Sequence, residues 1–181
     1  MRLVLANNVK ISNNLPFVLI AGPCQVESKD HALMIAQNVK KICDKLNEIA
    51  AATELIRSVK SQIAEHIEAE SDETKKENFE KASKPIVDSL TAIEEQLYNP
   101  LILAYEDNLK FPIMLEEKIA GLNYFLQMAD TAPTKTMYTK YDDLTKRIDV
   151  QLNKLKQIVA GDIKSLNEMA GEQKSKAIDL D

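Results

Sequence analysis

Glu48-Ile49-Ala50-Ala51-Ala52-Thr53-Glu54 joins two halves of this chain that read very differently. The stretch has three consecutive alanines, the strongest helix formers, and no Gly or Pro to break a helix. Before it, Leu33, Ile35, Ala36, Val39, Ile42, Cys43 and Leu46 recur at helical spacing behind two candidate caps, Ser28 and Asp30. After it, Ile56, Val59, Ile63 and Ile67 continue a stripe from Ile49. The expectation is one helix from residue 30 through Asn47 into the Ile56–Ile67 stripe. The glycines agree: residues 23–120 contain none, whereas an α/β domain draws repeatedly on Gly for tight turns.

Toward the C-terminus the pattern stays helical. Ser71-Asp72-Glu73 supplies a break and a cap. Phe79, Ala82, Ile86, Leu90, Ile93 and Leu97 follow on one face, with Pro85 marking a kink or a new start. Residues 99–111 read as an irregular crossing. Pro112 is expected to open a helix carrying Leu115, Ile119, Leu122 and Leu126. Thr134 is a candidate cap for a last long helix with Tyr141, Leu144, Ile148, Leu152, Leu155 and Val159 inward, stopped or bent at Gly161. Ile163 and Leu166 extend it before a polar tail. Toward the N-terminus, Arg2–Leu5 and Val9–Ile11 flank Asn7-Asn8 as a hairpin, and Phe17–Ala21 is a continuous apolar run suited to a buried strand. The predicted fold is mainly α: a four-helix-type bundle with a small N-terminal β-hairpin and strand unit. The predicted domains are 1–47 (hairpin, strand and first helix) and 48–181 (helical bundle with a polar tail).

Composition narrows the function. The chain has 181 residues, 45% hydrophobic and 28% charged, with a formal charge of -5. It can bury a sizeable core, and its acidity argues against nucleic acid as a partner. Residues 1–50 hold 6 basic and 4 acidic side chains, against 17 and 24 in the remainder. No apolar run approaches a membrane span and no leader opens the chain, so a cytoplasmic protein is expected. The two cysteines, Cys24 and Cys43, fit a reducing compartment. No His-Glu-x-x-His, Walker loop, GxGxxG, Cys-x-x-Cys or Gly-x-Ser-x-Gly occurs.

Asn14-Leu15-Pro16-Phe17-Val18-Leu19-Ile20-Ala21-Gly22-Pro23-Cys24-Gln25-Val26-Glu27-Ser28, followed by Asp30-His31-Ala32-Leu33, resembles the opening of the 3-deoxy-octulosonate 8-phosphate synthase family. That likeness covers residues 4–47. It implies a (β/α)8 barrel joining phosphoenolpyruvate to arabinose 5-phosphate, with Cys24 as a metal ligand of the metal-dependent branch. Where the family continues into a second strand and a Ser-Phe-Asp-Lys-Ala-Asn-Arg segment, this chain has the alanine-rich stretch. A barrel needs about 200–250 residues at least, and one cysteine cannot form a site of three or four ligands. Cys24 is thus a metal ligand only if the barrel were complete, and no catalytic residue or cofactor is expected.

A second resemblance rests on Leu90-Thr91-Ala92-Ile93-Glu94-Glu95-Gln96-Leu97-Tyr98, Leu109-Lys110-Phe111-Pro112-Ile113-Met114-Leu115, Pro133-Thr134 and Ile163-Lys164-Ser165-Leu166-Asn167. Over residues 53–168 it is similar to the C-terminal helical module of BNR-repeat, sortilin-like and glycosidase-like β-propeller proteins. Glu116-Glu117 stands where that module has paired Asn. The two likenesses together imply the head of one protein joined to the tail of another, a fusion or a fragment.

The functional expectation is a non-catalytic helical structural or interaction module, with a synthase-type transferase as the alternative. Its expected partner is a protein or a second copy, engaged through residues 1–21. Among single residues, His31 and His66 read as capping or solvated, Cys43 as core, and Glu94-Glu95 and Glu116-Glu117 as solvated faces. Tyr98, Tyr105, Phe111 and Tyr124 read as packing around the crossing.

Overall fold

The computed structural model describes residues 4–6, 9–11, 28–128, 132–172 and 177–180, and the chain is mainly helical. The first and longest helix, α1, runs Lys29–Ala69 without interruption, so the alanine-rich stretch lies in its middle. Ser28 caps it, its hydroxyl accepting the His31 N–H at 3.1 Å. Helices α2 (Glu73–Leu97), α3 (Leu115–Met128) and α4 (Lys135–Ile158) complete a four-helix arrangement. Helix α5 (Lys164–Glu172) continues α4 through an intervening π turn, Val159–Ile163.

Local chemistry explains the boundaries. The Asp72 carboxylate accepts the N–H groups of Thr74 and Lys75 at 3.0 and 3.2 Å, starting α2. Pro85 starts no new helix; α2 passes through it, and the carbonyl of Pro85 accepts the Ser89 hydroxyl at 2.8 Å. Pro112 likewise does not open α3. That helix begins three residues later, where Glu117 accepts the Met114 N–H at 2.8 Å. The crossing before it contains a 3-10 turn, Tyr105–Leu109, stapled by Asp107 accepting from the Leu103 and Ala104 N–H groups, both at 2.9 Å. Asn99 ties the crossing's two ends together, accepting the Leu101 N–H and donating to the Pro112 carbonyl. Thr134 caps α4.

The core lies along the axis between the helices. Ile56, Phe79, Leu90, Leu97, Ile119, Ile148 and Ile163 lose all contact with solvent. Gly161 does not stop the last helix. From Ile158 to Ile163 the buried stripe jumps five residues, one π turn, which keeps Ile163, Leu166 and Ala170 on the inner face. The C-terminal tail is not simply polar: Ile178 is buried and belongs to the core. Its flanking backbone is held by side-chain amides, a different route to burial from helical periodicity.

At the N-terminus, Val4–Ala6 pairs antiparallel with Val9–Ile11, Val4 opposite Ile11 and Ala6 opposite Val9. The turn at Asn7-Asn8 and the apolar run Phe17–Ala21 lie outside the described residues. No helix among the described residues is long and apolar enough to cross a membrane.

Candidate functional site

Cys24, the expected metal ligand of a complete barrel, lies outside the described residues. Among the described residues no three His, Cys, Asp or Glu side chains stand together to hold a metal. The structure moves both histidines away from solvated roles. His31 is buried, and neither ring nitrogen has a hydrogen-bond partner among the described residues. His66 stacks on Phe79, ring centroids 3.8 Å apart, with Nε2 buried and without a hydrogen-bond partner among the described residues. Cys43 is half-buried. The four aromatics expected at the crossing do not share one packed environment. Tyr124 is exposed beside Phe125 on α3, while Tyr98 is half-buried under the Arg57 guanidinium, 5.2 Å from the ring centroid.

Arg57 leads to the main charged cluster. Its Nε donates to Glu94 Oε1 at 2.7 Å, and Lys60 Nζ donates to Oε2 at 3.2 Å. Two turns of α1 thereby grip one carboxylate of α2. Burial pushes the Glu94 carboxyl up, but hydrogen bonds from Arg57 and Lys60 bring it below the usual carboxylate range. Its stabilising contribution is therefore present above the unfolded-state carboxyl range and lost as pH falls through the lower folded value. A carboxylate so saturated by cations is a poor proton acceptor, and the cluster acts as a clamp between helices. A similar clamp joins α1 to α4, where Lys45 donates to Asp149 at 2.9 Å and to Glu48 at 2.8 Å. Sequence reading took Glu94 as a solvated face. Its partners stand on another helix, 37 and 34 residues earlier in the chain, and no local pattern signals them.

Glu116 has the opposite electrostatics. Burial raises its carboxyl pKa, Glu117 raises it further, and Arg57 partly offsets the rise. A folded value above the unfolded one means that ionisation of Glu116 costs stability at neutral pH, and that the cost disappears below the unfolded carboxyl range, about 4. Glu116→Gln is expected to raise the melting temperature at pH 7 by about 1–2 °C, the small size reflecting solvent screening. The gain should vanish near pH 3.5. A lower melting temperature at pH 7 would refute this assignment.

A cavity of about 100 Å³ opens between α1, α3 and α4. Ile42, Leu122, Leu126 and Met137 form its apolar walls, and Asn38 and Tyr138 meet at its rim, Asn38 Nδ2 lying 3.5 Å from the Tyr138 hydroxyl. It can hold a small apolar group, and nothing in it resembles a nucleophile paired with a base. Exposed apolar side chains are more prominent. Leu101, Leu103 and Leu109 project from the crossing, and Tyr124, Phe125 and Met128 follow Gly121 at i+3, i+4 and i+7 on the outer face of α3.

Comparison with known proteins accounts for the beginning of the chain. Residues 2–64 match the DAHP synthetase I family, well into α1 and beyond the boundary near residue 47 inferred from the residues. The likeness of residues 53–168 to BNR-repeat proteins finds no support in these matches. No solved structure matches the chain. A 2-dehydro-3-deoxyphosphooctonate aldolase of Rickettsia felis (strain ATCC VR-1525 / URRWXCal2) is 60% identical over 45 residues, 25% of this chain and 16% of the relative. The proteins of the same name from Rickettsia rickettsii (strain Sheila Smith) and Rickettsia prowazekii (strain Madrid E) are 58% identical over 45 residues and 56% over 46, again 25% of this chain and covering 16% and 17% of those relatives. The N-terminal quarter of the chain is thus similar to a short part of these aldolases, and the chain spans about a sixth of their length.

Proposed function

We propose that the chain is a non-catalytic helical interaction module in which an aldolase-like opening runs directly into a bundle of separate character. The observation that carries this reading is the continuity of α1 across residues 48–54. A strand–helix repeat requires the chain to turn back after its first helix and lay down a second parallel strand. Here the same helix goes on to pack Ile56, Val59 and Ile63 into a core shared with α2, α3 and α4. In this reading 1–47 and 48–181 differ in sequence character, while the helix makes one folding unit of the bundle. The exposed apolar side chains of α3 and the crossing supply contact area for a protein partner, and residues 1–21 supply another in a partner or a second copy. The compartment that suits this reading is the cytoplasm.

The high identity over the first 45 residues favours one second reading, a transferase that joins phosphoenolpyruvate to arabinose 5-phosphate with Cys24 holding a metal. The two readings separate in a single assay. Purified chain with both substrates and a divalent metal is expected to release no phosphate above background. Turnover that disappears in Cys24→Ala would replace the first reading with the second.

A further inference from the structure

The end of the chain is held in an unusual way. Asn167 on α5 donates from Nδ2 to the Ile178 carbonyl at 2.9 Å and accepts the Ile178 N–H at 2.6 Å. Gln62 on α1 repeats the arrangement one residue on, donating to the Asp179 carbonyl at 2.8 Å and accepting the Asp179 N–H at 2.7 Å. Each amide does for one residue what a neighbouring β-strand would do. Successive residues of an extended chain point their backbone polar groups to opposite sides, so the tail is straddled by two helices. Ile178 is buried between them. Backbone hydrogen bonds together with one apolar socket are the elements by which proteins bind extended peptides. Neither amide reads a side chain, so nothing in this hold is particular to the chain's own tail.

Among the described residues, space is left beside the socket. A cavity of about 300 Å³ adjoins Ile178 and is lined by Gln62, Glu65, His66, Ala69, Glu70 and Ala177. Among the described residues the tail borders it with Ala177 and Ile178. Its walls carry two carboxylates, and the His66 Nε2 is buried without a hydrogen-bond partner among the described residues. A longer, cationic side chain at the position of Ala177 would occupy this space opposite Glu65 and Glu70.

We propose that the groove between α1 and α5 is a peptide-binding site, occupied in cis by residues 177–180, and that its partner is an extended segment of another protein bearing Arg or Lys, then an aliphatic anchor, then Asp. The partner competes with the tail for Asn167 and Gln62 and brings to Glu65 and Glu70 a cation that the Ala177 methyl group cannot supply.

The test uses the full chain with Ile178→Asp, which removes the tail's anchor, and a fluorescent Lys-Arg-Ile-Asp-Leu-Asp peptide followed by anisotropy. The peptide is expected to bind this variant at least tenfold more tightly than the wild-type chain. The same peptide with Ala in place of Arg should bind it several-fold more weakly, and adding Asn167→Ala should weaken binding by tenfold or more. Equal binding to wild type and variant, indifference to Asn167, or equal binding of the Arg and Ala peptides would overturn the proposal. Hydrogen exchange on the wild-type chain gives an answer even if the variant does not fold. Excess unlabelled peptide should speed exchange of the Ile178 and Asp179 amides and leave the helical amides protected. Unchanged exchange at those two amides would overturn the proposal as well.

Discussion

Ala51→Pro is expected to destabilise the whole bundle by about 3 kcal/mol or more, although Ala51 is exposed. Proline there removes the N–H that α1 directs at the carbonyl of Asn47 and forces its ring against that turn. The neighbours Ile49, Ala52 and Ile56 are all buried, so a kink at this point pulls the stripe out of register with α2 and α3. Chemical denaturation followed by circular dichroism measures the loss. If residues 48–54 were instead a linker between independent parts, the proline would cost almost nothing, and a loss under 1 kcal/mol would exclude the continuous helix as a structural element.

Phe79→Ala should cost a similar amount, about 3–5 kcal/mol, against a total stability of about 5–15 kcal/mol for a domain of this kind. Phe79 has no exposed surface and sits early in α2, where its ring lies flat against His66 near the end of α1. The stack joins the end of α1 to the start of α2 across the reversal at Glu70–Asp72. Its own share should emerge from a double-mutant cycle with His66→Ala as a coupling of about 0.5–1.5 kcal/mol. A loss below 1 kcal/mol in Phe79→Ala, or no coupling, would mean that the reversal is set by the Asp72 cap alone.

The sequence disclosed those parts of the molecule that obey short-range rules. Ile49, Ile56, Val59 and Ile63 could be placed on one face because a helix repeats every 3.6 residues, and the caps Ser28, Asp72 and Thr134 because few residue types satisfy the first free N–H groups. Other features depend on partners far away in the chain. Glu94 is recognisable as a clamp only once Arg57 and Lys60 are seen across the helix interface. The π turn at Val159–Ile163 was hidden because a five-residue jump between apolar positions looks like ordinary drift in a helical pattern. Ile178 lies in the short stretch Ala177-Ile178-Asp179-Leu180, too brief to show a helical stripe, so its burial follows from Asn167 and Gln62 rather than from its own surroundings. Pro112 misled the placement of α3 because proline favours a first helical turn in general, whereas Glu117 places the start at Leu115.

Helix α1 is one element, Lys29–Ala69, and its two halves on either side of residues 48–54 are expected to fold together. Residue-resolved hydrogen exchange on the intact chain tests it most directly. The amides from Ile42 to Ile63 should share one level of protection and exchange only through opening of the whole bundle. A step in protection within residues 48–54, with the N-terminal half of the helix exchanging far faster than the C-terminal half, would contradict it.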